Sequence, residues 1–580
     1  MRIQIYCQGH FNLQRSPSLG KNFSPWLFLA IMLKKGDRIL ECGMTIKRVV
    51  LSVLTVLTVL LAGASLWQSW QQPQFQSRLE LYETNLLLRA AEWQPQDSGG
   101  KDLTNARKAL LGDKPIESAI EQYQEAKTST QKNIKKALAQ LKQARSLPES
   151  APATPQPKSA TPPVTETSRA NQETISQRSL ARLEKLDAEL TLRLGILQAQ
   201  QGKTAEAVKT WEELKENSEF GIRNSELLTT PDSRIEDTAN ALIGLWSNPA
   251  RLLPDAQQLI QTNLDGWFRD RALLRLYELQ QRQDAFAQLQ ATQQELAERA
   301  IVKLAIIGSL PWLAGVTGLG LLIFLIAQRL RKGKESVLSR NEDTVWVTPW
   351  TGEIVWQVFI VGFFLMGQVL IPLTLSFLGV KPVGGQIRIQ AFYVLVNYLL
   401  LAAGGLGVLY LSIKSFFPLP EGWFRFNWRS NWILWGFGGY CVALPLVLIV
   451  SIINQQLWQG QGGSNPLLSL ALEARDSVAL SIFFFTAAIA APLFEEFLFR
   501  GFLLPSLTRY MSVWWAIILS AFLFALAHLS LSEILPLMTL GIILGIVYTR
   551  SRNLLAPMLL HSLWNSGTLV SLYILGSGAT

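Results

Sequence analysis

Phe494-Glu495-Glu496-Phe497-Leu498-Phe499-Arg500-Gly501 is the stretch whose reading decides this chain. It lies inside the apolar run Val478–Leu504, long enough to cross a bilayer. Ionisable groups are out of place there, because a charge near the bilayer centre costs at least ~2.5 kcal/mol. Two adjacent carboxylates therefore need compensation. Glu496 and Arg500 are four residues apart, on one helix face, and can pair. Glu495 is turned about 100° from Glu496 and points elsewhere. The geometry predicts a supporting Glu496–Arg500 pair and a Glu495 free to do chemistry.

Working outward, the chain between residue 301 and its end is a series of such runs: Ile301–Ala327, Ile354–Leu378, Ile389–Ile413, Trp432–Ile453, Val478–Leu504, Val513–Leu529, Ile534–Tyr548 and Leu554–Leu575. Ile534–Tyr548 is the least regular, being short and holding Pro536. A ninth run, Val49–Trp67, follows Lys47 and Arg48 and reads as a retained signal anchor. The fold class predicted is all-α, a multi-pass transmembrane helix bundle with an N-terminal anchor and an extramembrane helical domain. Charged residues are only 17% of the 580, below the roughly 25% of soluble proteins. The net charge of +10 does not indicate nucleic acid, since much of it flanks apolar runs and no nucleic-acid motif accompanies it. Cys7, Cys42 and Cys441 are far apart and suggest neither a disulfide framework nor a cysteine metal site.

Residues 1–43 have no clear periodicity, and Met44 opens Met-Thr-Ile-Lys-Arg before the anchor. The expectation is that Met44 is the true start, which N-terminal sequencing would check. The expected domains are 44–67 as anchor, 68–299 as the water-exposed helical domain, 300–431 as transmembrane helices, and 432–580 as the core that carries chemistry. Within 68–299, Leu79–Trp93 and Ile116–Leu147 have helical spacing, and a Pro-rich linker at 148–166 separates them from a further helical stretch from Ile175. Leu194-Gly195, Gly202, Ala207 and Trp211 resemble one tetratricopeptide helix pair, beside the plainer reading of an ordinary helical hairpin. Such a domain more often binds a protein partner than carries chemistry. The positive-inside rule puts Arg329, Arg331, Lys332, Lys334, Lys414, Arg425, Arg429, Arg509, Arg550 and Arg552 inside. Lys381, Arg388 and Arg475 are exceptions to it. The helical domain then lies on the periplasmic or lumenal side.

The chain has three histidines, and two of them, His528 and His561, fall in the last runs. Phe524 and His528 share a helix face, as do His561 and Asn565. Taking a turn near Met511, Glu495 lies about 24 Å before it and His528 about 26 Å after it, so a hairpin brings them level. His561 lies only about 15 Å beyond the next inner turn and needs tilt or kinking to join them. A buried carboxylate can serve as a general base, His can orient the water, and a second His with Asn can stabilise an oxyanion. The same Glu495, His528 and His561 could instead ligate zinc, although no H-E-x-x-H is present. The residues admit both.

Each group also has a plainer reading. Glu495, Glu496 and Arg500 could be a structural ion network, His528 a satisfied edge histidine, and His561 and Asn565 interhelical glue. Buried Glu, His and Arg also make proton relays, but the clustering of these residues near the C-terminus, without related halves, argues against a transporter.

Glu495-Glu496-x-x-x-Arg500, Phe524-x-x-x-His528 and His561-x-x-x-Asn565 resemble, in order, the three motifs of the CPBP intramembrane proteases, which include CAAX prenyl endopeptidases and bacteriocin-processing or immunity proteins. The resemblance covers about Val478–Leu575. It implies hydrolysis of a peptide bond in a membrane-associated protein or peptide. Glu495 and His528 would activate water, His561 and Asn565 would hold the oxyanion, and Glu496 and Arg500 would support the site, with Phe524 read from its spacing as a packing residue that positions His528. It leaves metal and glutamate mechanisms both open, and it admits an inactive scaffold that binds partners through its helical domain.

Overall fold

The computed structural model describes residues 45–71, 76–94, 111–146, 164–224, 233–380, 386–458, 462–473 and 476–577. The expected extension 1–43, Cys7 and Cys42 among it, lies outside them, as does most of the Pro-rich linker. A helix already begins at Val164, inside the 148–166 stretch. Among the described residues the regular structure is helical, with no strand.

In the stretch expected to be water-exposed, helices Gln76–Ala91, Pro115–Ser146, Val164–Gln200, Thr204–Asn224, Ser233–Trp246, Ala256–Asn263 and Gly266–Leu279 surround a core that includes Tyr123, Leu197, Trp211, Leu242 and Phe268. Gly202 makes the turn between the third and fourth of these at a φ of +87°, a conformation that favours glycine. Across the hairpin, a Cβ on Gly195 would stand 2.3 Å from the Trp211 indole nitrogen, so only glycine lets that fully buried ring lie on the backbone. The ring N–H donates to the Leu192 carbonyl at 3.1 Å. Gly195, Gly202, Ala207 and Trp211 thus build a close helical hairpin, and tetratricopeptide character is not specifically established. The next helix, Gln283–Lys332, runs unbroken for 50 residues with Pro311 inside it, so the 299/300 boundary falls within one helix.

Among the described residues seven helices are long and apolar enough to cross a membrane: Ile46–Trp70, Gln283–Glu335, Gly352–Phe377, Ile387–Phe416, Trp432–Trp458, Ser477–Leu507 and Ile534–Ser551. All nine expected runs are helices, but two fall outside this group. Val513–Leu526 has 14 residues and reaches about 21 Å, short of a hydrocarbon core of about 30 Å. Leu555–Gly576 is long enough at 22 residues but carries His561, Ser562, Asn565, Ser566 and Thr568. These are the two helices that end at, or bear, the histidine motifs. Cys441 is a buried, free thiol in the helix Trp432–Trp458, as expected of a small hydrophobe.

Candidate active site

The helix Ser477–Leu507 carries the first motif and is not a regular α-helix. It opens into wider π turns at Phe485–Ala490 and Phe497–Leu503, with an α segment, Ala491–Glu496, between them. Such turns leave backbone groups open to other partners. Pro492 also removes one N–H that would have returned to a carbonyl of the preceding turn. Side chains of Leu555–Gly576 use carbonyls there: Ser562 Oγ donates to Ala488 O at 2.6 Å, and Asn565 Nδ2 donates to Ala487 O at 2.7 Å. The irregular helix is thereby a docking strip for the helix that bears the third motif.

Behind this strip lies a buried ion network. Glu496 and Arg500 are both 0% exposed. Arg500 Nη1 donates to Glu496 Oε1 at 2.8 Å, its Nη2 donates to the Gly541 carbonyl at 3.2 Å, and its guanidinium lies 4.4 Å from the centre of the Phe524 ring. His561 Nδ1–H donates to the same Glu496 Oε1 at 2.8 Å. Phe524 is fully buried and meets both histidines edge to face, at 4.9 Å from His528 and 5.6 Å from His561. One phenyl ring therefore touches members of all three motifs. The approach of Gly541 to the Val513–Leu526 helix is equally close, since a Cβ there would lie 2.9 Å from that of Ala521.

Glu495 is absent from this network. It faces a cavity of about 590 Å³ that His528, His561 and Asn565 also line. Tyr398 OH donates to Glu495 Oε1 at 3.0 Å. His528 is set by the way its helix ends. Its backbone N–H turns to Ala525 O at 3.2 Å, and its ring Nδ1–H takes Phe524 O at 2.9 Å. That bond fixes the neutral tautomer with Nε2 as an acceptor. Asn565 keeps a second amide N–H beyond the one given to Ala487. Among the described residues the cavity lining holds no Lys or Arg, and it includes Asn465 and Glu533, joined by an Asn465 N–H to Glu533 Oε1 bond of 2.7 Å.

The structure thus brings Glu495, His528, His561 and Asn565 to one cavity and places Glu496 and Arg500 behind it. Glu495, His528 and His561 do not close into a metal-holding group, nor does any set of three or more His, Cys, Asp and Glu among the described residues. Both histidines have Nδ1 committed, to Phe524 O and to Glu496. Sequence reasoning missed Tyr398, which lies in an earlier span that carries no motif. It also missed Ser562 and Pro492. A proline three residues before the motif carboxylate was the available signal for the docking strip.

Residues 477–567 match the family described as type II CAAX prenyl endopeptidase Rce1-like. The chain is 30% identical over 139 residues to the membrane-embedded CAAX protease MroQ of Staphylococcus aureus (strain USA300), covering 23% of this chain and 55% of that protein. It is 25% identical over 134 residues to YdiL of Bacillus subtilis (strain 168), named as a membrane peptidase, covering 23% and 54%. The chain spans about half the length of these curated relatives. No solved structure matches it significantly. The segment that carries all three motifs thus matches the Rce1-like family, which supports its resemblance to the CPBP intramembrane proteases.

Proposed function

We propose that this protein is an intramembrane endopeptidase that cleaves a membrane-associated protein or peptide with water activated by Glu495. The observation that carries the reading is the shared cavity: Glu495, His528, His561 and Asn565 come from two helices and the turn that ends a third and line one space, while the adjacent Glu496 is spent on Arg500 and His561. In this mechanism a water gives one hydrogen bond to Glu495 and the other to His528 Nε2. Glu495 takes the proton as the water oxygen attacks the peptide carbonyl carbon. The oxyanion meets the second amide N–H of Asn565, and His561, when protonated on Nε2 and paired to Glu496, adds another donor. Collapse breaks the C–N bond as the proton on Glu495 passes to the leaving amine.

The test is cleavage of a fluorogenic peptide library by the purified protein in detergent. Glu495→Gln should lower turnover by about 10²–10⁴-fold while leaving the protein folded. Unchanged turnover would sink the reading. A strong chelator in parallel separates glutamate chemistry from zinc chemistry, in which a metal at Glu495, His528 and His561 would supply an acidified water.

The helical domain is assigned to the periplasmic or lumenal side, where it would present substrate or bind a protein partner. Its helix Gln76–Ala91 reaches the cavity rim, where Gln455 donates to Glu80 at 3.2 Å. Ser69, just before it, donates to Gly462 O at 2.6 Å and accepts from Leu531 N–H at 3.2 Å. Protease added to sealed, inside-in vesicles should remove 68–299. Protection there, with cleavage only after the membrane is opened, would reverse the assignment.

A further inference from the structure

We infer that Tyr398 is a positioning residue for Glu495, so that the working core of this protein includes the helix Ile387–Ile413, outside the segment 477–567. The inference rests on the protease reading and extends it to a helix that carries none of the three motifs.

A general base must hold one carboxylate oxygen toward the water while its other oxygen stays fixed. Tyr398 meets that need directly: its hydroxyl donates to Glu495 Oε1 at 3.0 Å, and both side chains line the cavity. A phenol bonded to a carboxylate makes a charge-assisted bond that holds the carboxylate in one orientation. Among the described residues Glu495 has no other hydrogen-bond partner and no ion pair, in contrast to Glu496 with two cationic or polar donors. Without Tyr398 its carboxylate would be free to rotate in the cavity.

The Tyr398 ring is itself held. It stands edge to face on Phe494, the neighbour of Glu495, at 6.1 Å and 84°. Further along the same helix, Gly405 approaches Phe494 so closely that a Cβ would lie 3.0 Å from the ring. At the start of the helix, Arg388 pairs with Asp476 at 2.6 Å, and Asp476 caps the motif helix through the Val478 and Ala479 N–H groups. Four contacts thus join the two helices, at the Arg388–Asp476 pair, at Gly405, at the Tyr398 ring and at the reacting carboxylate. A hydroxyl placed for packing alone would not need to end on the cavity carboxylate that has no other partner among the described residues.

The test uses the full-length protein in detergent and compares wild type, Tyr398→Phe, Glu495→Gln and the double variant. Tyr398→Phe keeps the ring and its packing and removes only the donor. It should lower kcat by about 10- to 100-fold, the worth of one hydrogen bond to a charged group, with KM unchanged and thermal unfolding lowered only slightly. In the double variant the tyrosine change should cost nothing further, because the carboxylate it serves is gone. The infrared carboxylate stretch that disappears in Glu495→Gln should shift in Tyr398→Phe. An unchanged kcat, a full additional loss in the double variant, or an unmoved carboxylate band would each overturn the inference. The infrared result needs no substrate. If wild type shows no Glu495-dependent cleavage, the protease reading fails separately, and an unmoved band still overturns the contact.

Discussion

Glu495 and Glu496 are neighbours in sequence and opposites in setting. Glu496 is fully enclosed, with Arg500 and His561 on one of its oxygens. Glu495 is half-buried at a cavity wall, with a tyrosine hydroxyl as its partner. The same side chain is thus used once to lock helices and once to face a space large enough for a peptide segment. What separates them is one residue of helical rotation and the wide turns on either side. The network behind sets the geometry of the site in front, because His561 is a member of both.

The largest effect should come from opening the enclosed network. Arg500→Ala removes the cation beside Glu496 and leaves a carboxylate that His561 alone must satisfy. Breaking a buried pair in this way costs about 3–5 kcal/mol. Thermal unfolding in detergent should drop sharply, whereas Glu495→Gln should not move it by a comparable amount. Replacing both partners with apolar residues, Glu496→Leu with Arg500→Met, should recover part of the loss, since no uncompensated charge then remains. Equal destabilisation by Glu495→Gln and Arg500→Ala would erase the contrast between the two carboxylates.

The division between the two glutamates was legible in the sequence because it is a property of one helix. Four-residue spacing puts Glu496 on Arg500, and a one-residue offset turns Glu495 away. That Glu495 and His528 would meet at one cavity followed from helical rise and a single turn. His561 was harder. Counted along its own helix it stops short of the others, and nothing local says that Ser562 and Asn565 will dock on carbonyls left by the turns before Glu495. Tyr398 was out of reach for the same reason: it is 97 residues from Glu495 and sits in an apolar run with no pattern of its own. The span count shows the limit from the other side. Val513–Leu526 and Leu555–Gly576 read as ordinary spans, yet one is too short and the other too polar to stand among the seven, because their lengths and polar faces serve the site.

The smallest expected change in stability is also the one that divides docking from chemistry. Ser562 and Asn565 make the same kind of bond, to the adjacent carbonyls Ala488 and Ala487, from the same helix. Removing either donor should cost about 0.5–1.5 kcal/mol. Asn565 lines the cavity and has a second N–H to give, whereas Ser562 is not part of the cavity wall and its single hydroxyl proton is already used. Asn565→Ala and Ser562→Ala should therefore unfold at nearly the same temperature while differing in turnover. Loss of one oxyanion donor lowers kcat by about 10²–10³-fold, and that loss should appear for Asn565 alone. If the two variants slow equally, Asn565 acts through docking, and the oxyanion must be held by His561. If only Asn565→Ala slows, the third motif divides as the first does, with one residue at the reacting atoms and its neighbours holding the helix in place.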